Sequence, residues 1–252
     1  MTITTIMITG GGGKFGRQYI DCFLKQGKRV VFTAKTQKSI DTTLDYFQHH
    51  KNLSALAVDF LDGEFSKKVI DYLVSHKIMI EALINNARSI DALRINEQGL
   101  TDRQQFIDEY LVDVVSPYEL TMALALQKHS MLKKVVNISS QYSLVVANPA
   151  LYNDYAHQSP IQYGVAKAAL NSLTKELAVR LAHKNIQVNA VAYGGVAGRV
   201  DAAFKARYAQ LTPQGRMLAE EDIAGPVNFL LAEDSAAITG QIIQVDGGWT
   251  LW

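Results

Sequence analysis

The sequence predicts an α/β fold: one doubly wound parallel sheet with helices on both faces. Three observations predict it. Short apolar, β-branched runs alternate with helical stretches along the chain. Those runs are apolar at nearly every position, as strands covered on both faces are. The 252 residues, 48% hydrophobic and 19% charged, suffice for one such core, with no linker, repeat or low-complexity segment to divide them. The whole of 1–252 therefore reads as a single domain.

The elements follow in order. Residues 3–9 form an apolar first strand that TGGGG breaks off, and a helix follows over 14–26. RVVFTA (29–34) is the second strand, 37–50 is helical, and LSALAVD (53–59) is the third strand. Residues 63–76 are helical, and IEALINNA (80–87) is a strand running into a loop. A long helix is predicted over 101–127, bent at Pro117. LKKVVNISS (132–140) is a strand, 161–183 a strongly amphipathic helix, and IQVNAVAY (186–193) a strand. A glycine-bearing loop and a short helical region come next. Residues 220–234 are helical with Pro226 near the first turns, and QIIQVDGG (241–248) is the last strand. In such sheets ligands bind at the carboxyl ends of the strands.

Composition narrows the function classes. The formal net charge is +1 with no basic block, so no nucleic-acid partner is expected. No run approaches a membrane span, and the N-terminus lacks the basic and apolar regions of a signal peptide. No membrane partner and a cytoplasmic location are the expectation. The single cysteine, Cys22, excludes a disulfide framework and reads as helix packing rather than a reactive thiol. His49, His50, His76, His129 and His183 show no metal-like grouping, and no metal site is expected.

GGGKFG (11–16) satisfies G-x-G-x-x-G through Gly11, Gly13 and Gly16, with a strand before and a helix after. Backbone amides in such a loop point at a pyrophosphate, and the helix N-terminus adds a positive field. Gly10 and Gly11 turn the chain, Gly13 admits phosphate, and Gly16 lets the helix press on the sheet; Gly12 has no assigned need. Lys14 opposes the helix dipole unless an anion lies there, which places it near the phosphates. Asp59 ends the third strand, where an acid can meet adenine. The second strand ends at Ala34-Lys35, with no carboxylate for a ribose 2′-hydroxyl and a cation suited to a 2′-phosphate. NADP(H) is favoured over NAD(H).

Tyr163 and Lys167 are spaced i, i+4 on the predicted helix and share a face. An ammonium near a phenol stabilises phenolate, which suits Tyr163 to acid–base work. Ser140, at a strand end, offers a hydroxyl to a carbonyl oxygen; Ser139 is the weaker candidate.

The chain resembles the short-chain dehydrogenase/reductase family over nearly its whole length. The matching pieces are Thr9-Gly10…Gly13…Gly16, Asp59, Asn85-Asn86-Ala87, Asn137-Ile-Ser-Ser140, Tyr163-x-x-x-Lys167, Gln187-Val-Asn189, Ile238-Thr-Gly-Gln241 and Val245-Asp-Gly-Gly248. The resemblance implies a single Rossmann-type domain and an alcohol–carbonyl oxidoreductase. Tyr163 would be the acid in reduction and the base in oxidation. Lys167 would hold the nicotinamide ribose and lower the Tyr163 pKa, and Ser140 would orient substrate. Phe15, Phe60, Asn85, Asn86 and Ala87 would border the cofactor, Asn85 and Ala87 also steadying the central strands, and Val196 would lie near the nicotinamide carboxamide. The long helices and the C-terminal WTLW resemble subunit-pairing surfaces, which implies a homodimer or homotetramer.

Departures from the family pattern are informative. Asp113 stands where the family has an asparagine whose backbone carbonyl seats a water near the lysine. Arg88 replaces the glycine after Asn-Asn-Ala, and Tyr193 replaces a proline and would add an aromatic wall. An inserted segment around 150–160 (ALYNDYAHQSP) is rich in hydrogen-bonding side chains. Arg88, Tyr142, Tyr152, His157 and Tyr193 are the candidate substrate contacts. The long gap from Ser140 to Tyr163 and the glycine spacing resemble a subgroup linked to bacterial surface-sugar pathways, flagellin-glycan and legionaminic-acid biosynthesis among them. A polar, sugar-derived small molecule is the expected substrate. The alternatives are a 3-oxoacyl-carrier-protein or broad carbonyl reductase, and a catalytically silent NADP-binding sensor or scaffold.

Overall fold

The computed structural model describes residues 3–198 and 200–252. Seven strands form one parallel sheet: β1 (Thr5–Ile8), β2 (Arg29–Ala34), β3 (Leu53–Ala57), β4 (Ala82–Asn85), β5 (Lys134–Ser140), β6 (Gln187–Tyr193) and β7 (Ile242–Val245). The helices are α1 (Lys14–Lys25), α2 (Gln37–Tyr46), α3 (Phe65–Ser75), α4 (Arg103–Tyr110), α5 (Ser116–Ala125), α6 (Tyr155–Gln158), α7 (Ile161–Leu181), α8 (Ala202–Gln210) and α9 (Ala224–Leu231). Strand order is β3-β2-β1-β4-β5-β6-β7. The winding reverses between β1 and β4, which opens a crevice at their carboxyl ends.

Strand alternation divides the core between the two faces. Ile6 and Ile8 of β1 join Phe32, Ile84 and Val191 under α1, α2 and α9. Met7, with Val31, Leu83 and Val135, packs on the other face under α3, α5 and α7. All these strand residues are buried, so the near-continuous apolar runs are explained by cover on both sides.

Two predicted helices differ in detail. The 101–127 helix is interrupted before Pro117: residues Leu111–Val115 make a π-turn between α4 and α5. Pro117 has no N–H to offer the Asp113 carbonyl four residues back, so the turn widens, and Ser116 Oγ donates to Leu111 O at 2.9 Å. The 161–183 helix is not amphipathic in the simple sense. Its buried face carries Gln162, Lys167, Asn171 and Thr174 among the apolar residues, so the polar residues point inward. Among the described residues no helix is long and apolar enough to cross a membrane.

Candidate active site

The glycine loop leaves β1 with Gly10 at φ +66°, where a Cβ would come within 2.8 Å of the Ala87 Cα. At Gly16 a Cβ would stand 2.5 Å from both Gly10 O and Gly11 Cα, so α1 is seated on the loop backbone. A Cβ on Gly12 would strike Ser39 Oγ of α2, which supplies the need that the sequence left unassigned. Gly13 is different: its Cβ would meet only Gly10 O, at 3.4 Å. Gly13 also begins α1 with no side-chain cap and no acid in the first turn, leaving the amides open to an anion. The cradle fits a dinucleotide pyrophosphate.

The chain just beyond β4 braces that loop. Asn86 Nδ2 donates to Thr9 O at 2.8 Å and Gly10 O at 3.1 Å. The Asn86 and Ala87 amides both donate to Thr9 Oγ1 at 2.9 Å. Deeper in, Asn85 Nδ2 donates to Asn137 Oδ1, and Asn137 Nδ2 to Thr174 Oγ1, each at 2.8 Å. This buried amide chain ties β4, β5 and α7 together, and a satisfied chain of that kind fixes their relative positions.

The acid–base candidates meet where α7 crosses the end of β5. Lys167 Nζ donates to Ile138 O at 2.9 Å and lies 2.9 Å from Asp113 Oδ2. Gly164 lets α7 close on the next turn, where a Cβ would be 3.1 Å from Tyr142 O. Ser140 is bracketed by these two contacts, and its Oγ accepts from Tyr142 N at 3.2 Å. Burial pulls the Lys167 ammonium down, but the Asp113 carboxylate, the Tyr163 phenol and Glu109 together hold it above the ordinary lysine range. The Arg88 guanidinium lies over the Tyr163 ring, 5.1 Å from its centre. A half-buried phenol, an ammonium, a hydroxyl and a cation thus line one cleft, a set able to bind and protonate a carbonyl oxygen.

A family model described as enoyl-(acyl carrier protein) reductase matches residues 15–250. The chain belongs to the short-chain dehydrogenase/reductase family. It is 26% identical to post-translational flagellin modification protein A of Campylobacter coli, over 98% of each chain. It is also 26% identical to galactitol 2-dehydrogenase of Rhizobium johnstonii, over 98% of this chain and 95% of that one. A short chain dehydrogenase of Leptospira borgpetersenii, solved with bound NAD+, superposes with a TM-score of 0.85 at 25% identity. It covers 99% of this chain and 94% of that one.

Within this short-chain dehydrogenase/reductase fold, other predicted residues have found partners. Lys14 Nζ donates to Ala197 O at 2.7 Å and lies 3.4 Å from Glu220, so the anion that steadies it here is a side chain. Lys35 Nζ is 3.3 Å from Asp59 Oδ2; both are partly exposed at the ends of β2 and β3. Val196 pairs with Leu218 and helps shape the loop after β6. Phe60 meets Phe65 edge-on, with centroids 5.0 Å apart.

Two expectations are corrected, those for Tyr193 and His157. Tyr193 is not an aromatic wall of the cleft. It is 3% exposed, its hydroxyl donates to Ile223 O, and it packs on Phe15 in the core. Phe15 is only partly buried, and its ring lies edge-on to both Tyr193 and Tyr19. His157 is engaged through both ring nitrogens, to Asp154 Oδ2 at 2.8 Å and Glu97 O at 3.2 Å. These bonds raise its pKa and make it a stitch between the inserted segment and the turn at 96–100. Tyr142 and Tyr152 remain paired, Oη to Oη at 3.0 Å, and burial pushes both phenols up.

Two residues were missed. Tyr208 Oη accepts from Gly195 N at 2.7 Å and donates to Gln141 Oε1 at 2.9 Å, fixing the loop after β6 beside the Ser140 turn. No local pattern marks it, since its partners lie far away in sequence. Glu109 lies buried beside Asp113. Its signal was present: it is four residues before Asp113 on the same helix stripe.

Proposed function

We propose that this chain is an NADP(H)-dependent oxidoreductase that interconverts an alcohol and a carbonyl on a polar, sugar-derived substrate. The observation that carries the reading is Lys167, buried between Asp113 and Ile138 O one helical turn from Tyr163. When bound, the dinucleotide supplies hydride exchange between its nicotinamide ring and the substrate carbon. The amides of 11–16 would hold its pyrophosphate, Asp59 and Phe60 its adenine, Ala34 and Lys35 its adenosine ribose, and Asn86, Ala87 and Val196 its inner part. Tyr163 and Lys167 would meet the nicotinamide ribose. Ser140 Oγ orients the substrate oxygen, and Tyr163 gives it a proton in reduction or takes one in oxidation. Lys167 places a positive charge beside the phenol, which steadies the negative charge left as the proton leaves.

Supporting the phosphate preference are the missing carboxylate at Ala34 and the Lys35 ammonium beside it. Lys35→Ala is expected to weaken NADPH binding about tenfold and leave NADH binding unchanged, as read by fluorescence titration. Equal wild-type affinities for the two dinucleotides would remove the NADP assignment. Supporting a polar substrate are the Tyr142–Tyr152 pair, the Arg88 cation over Tyr163, and the likeness to a galactitol dehydrogenase. The description of the matching family model favours a second reading, an acyl-carrier substrate. A panel of keto-sugars, polyols and 3-oxoacyl thioesters assayed with both dinucleotides separates them. Turnover confined to the thioesters would overturn the first reading, and tight NADPH binding with no turnover would leave the sensor.

Exposed Ile107 and Tyr110 on α4, Tyr118 on α5, and Val165 and Val179 on α7 support pairing of subunits as a homodimer or homotetramer. Light scattering at micromolar concentration reads the assembly, and a monomer would dismiss it.

A further inference from the structure

Glu109 and Asp113 stand one turn apart where α4 gives way to the π-turn, and they are 0% and 1% exposed. Asp113 Oδ2 lies 2.9 Å from Lys167 Nζ. Yet none of the four carboxyl oxygens receives a bond of proper hydrogen-bonding geometry among the described residues. The charged groups that act on the pair among the described residues are Lys167 from α7 and Arg88 from the loop after β4, and Tyr163 in turn faces Lys167. Two buried carboxylates beside one buried ammonium leave a surplus negative charge that the interior does not tolerate. Buried acceptors without a well-aligned protein donor also carry a penalty of their own. One proton on the pair answers both problems: it removes the surplus charge and supplies a donor between the acids.

We propose that Glu109 and Asp113 share one proton and serve as the proton store behind Lys167, refilling the lysine and Tyr163 after each reduction. The inference rests on the reading of Tyr163 as the acid. Neither carboxyl touches substrate; both are positioning residues acting through Lys167. The balance is simple. Tyr163 Oη loses its proton to the substrate oxygen and is left as phenolate. The Lys167 ammonium releases a proton toward that phenolate and becomes an amine. The acid pair returns a proton to Lys167 Nζ through Asp113 Oδ2, and solvent then re-protonates the pair. Only O–H and N–H bonds change, and one solvent proton ends on the product; oxidation runs the same path backwards. Burial, with the Asp113 charge adding to it and Lys167 and Arg88 opposing, pushes the Glu109 carboxyl up to about 8. The store is therefore filled at neutral pH.

Infrared spectroscopy of the protein without substrate tests this directly. The wild type is expected to show a protonated-carboxyl C=O band at pH 7 that fades as pH rises through about 8. E109Q is expected to lack it. Absence of the band from the wild type, or its full persistence in E109Q, would overturn the proposal. The wild-type titration stands even if the variant folds poorly. Stability gives a second readout. Folding raises the Glu109 pKa from 4.5 to about 8, so the folded state favours the protonated form. The Tm of E109Q relative to wild type should therefore rise across that window and level off above it; a flat difference counts against the proposal. In kinetics, E109Q should lose about tenfold in steady-state turnover and keep single-turnover hydride transfer within about twofold. Equal losses in both would assign Glu109 to the chemical step and overturn the store. Failure of the Tyr163 reading would show separately, as turnover that survives loss of the phenol, whereas the infrared band needs no substrate at all.

Discussion

Tyr163→Phe is expected to lower turnover by about two to four orders of magnitude, the usual worth of a positioned acid–base group. The effect should fall on kcat, with KM and dinucleotide affinity nearly unchanged, because the phenol proton moves only in the transition state. The fold should be indifferent to the change. Tyr163 is half-buried, and its hydroxyl has no hydrogen-bond partner to lose among the described residues, so the Tm should stay within about a degree. A variant that keeps full turnover on a substrate of the wild type would dismiss the mechanism. A variant that loses turnover and Tm together would show that the hydroxyl serves the fold and would count against a role confined to proton transfer. Arg88 sharpens the comparison: its guanidinium lies over the ring, which phenylalanine preserves, so the cation stays in place.

Gly16→Ala is the second large effect. The added Cβ would lie 2.5 Å from Gly10 O and from Gly11 Cα. Both are backbone atoms of the loop on which α1 rests, and no side-chain rotation relieves them. Either α1 lifts from the sheet or the loop opens, and both spoil the cradle. A loss of about 2–4 kcal/mol in stability is expected, with dinucleotide binding weakened beyond detection in a fluorescence titration. Gly63→Ala is the control. A Cβ there meets nothing within 4 Å, and chemical denaturation should find it within about half a kcal/mol of wild type. A Gly16 variant as stable as that control would show that α1 moves freely on the sheet.

Much of the site could be read early because its pieces are local. Gly10 to Gly16 are joined by a single turn, and Tyr163 and Lys167 by a single helix face. Such patterns survive in sequence because the backbone alone brings the residues together. Tyr193 could not be read that way. It follows Ala192 at the end of a strand predicted to point at the cleft, but which face it occupies depends on the register of β6. Its ring turns to Phe15 and its hydroxyl to Ile223, both distant in the chain. His157 misled for a related reason. Its sequence neighbours are hydrogen-bonding residues, and only the folded segment shows that Asp154 and the Glu97 carbonyl already hold it.

By itself the sequence determined the class of fold, the order of its elements, the glycine loop between the first strand and helix, and the Tyr163–Lys167 pair. Period and spacing along one chain are enough for each of these, since alternation sets the layers and glycine sets the turns. Only the tertiary structure decided what the charges answer to. It joined Lys14 to Ala197 and Glu220, and Lys35 to Asp59. It also closed Glu109, Asp113 and Lys167 into one buried group. The physical reason is that a charge is settled by what surrounds it in space. An acid on a helix stripe costs little in water and a great deal beside a second acid in a dry interior. That cost is set when α7 packs across the π-turn, and no spacing in the chain records it.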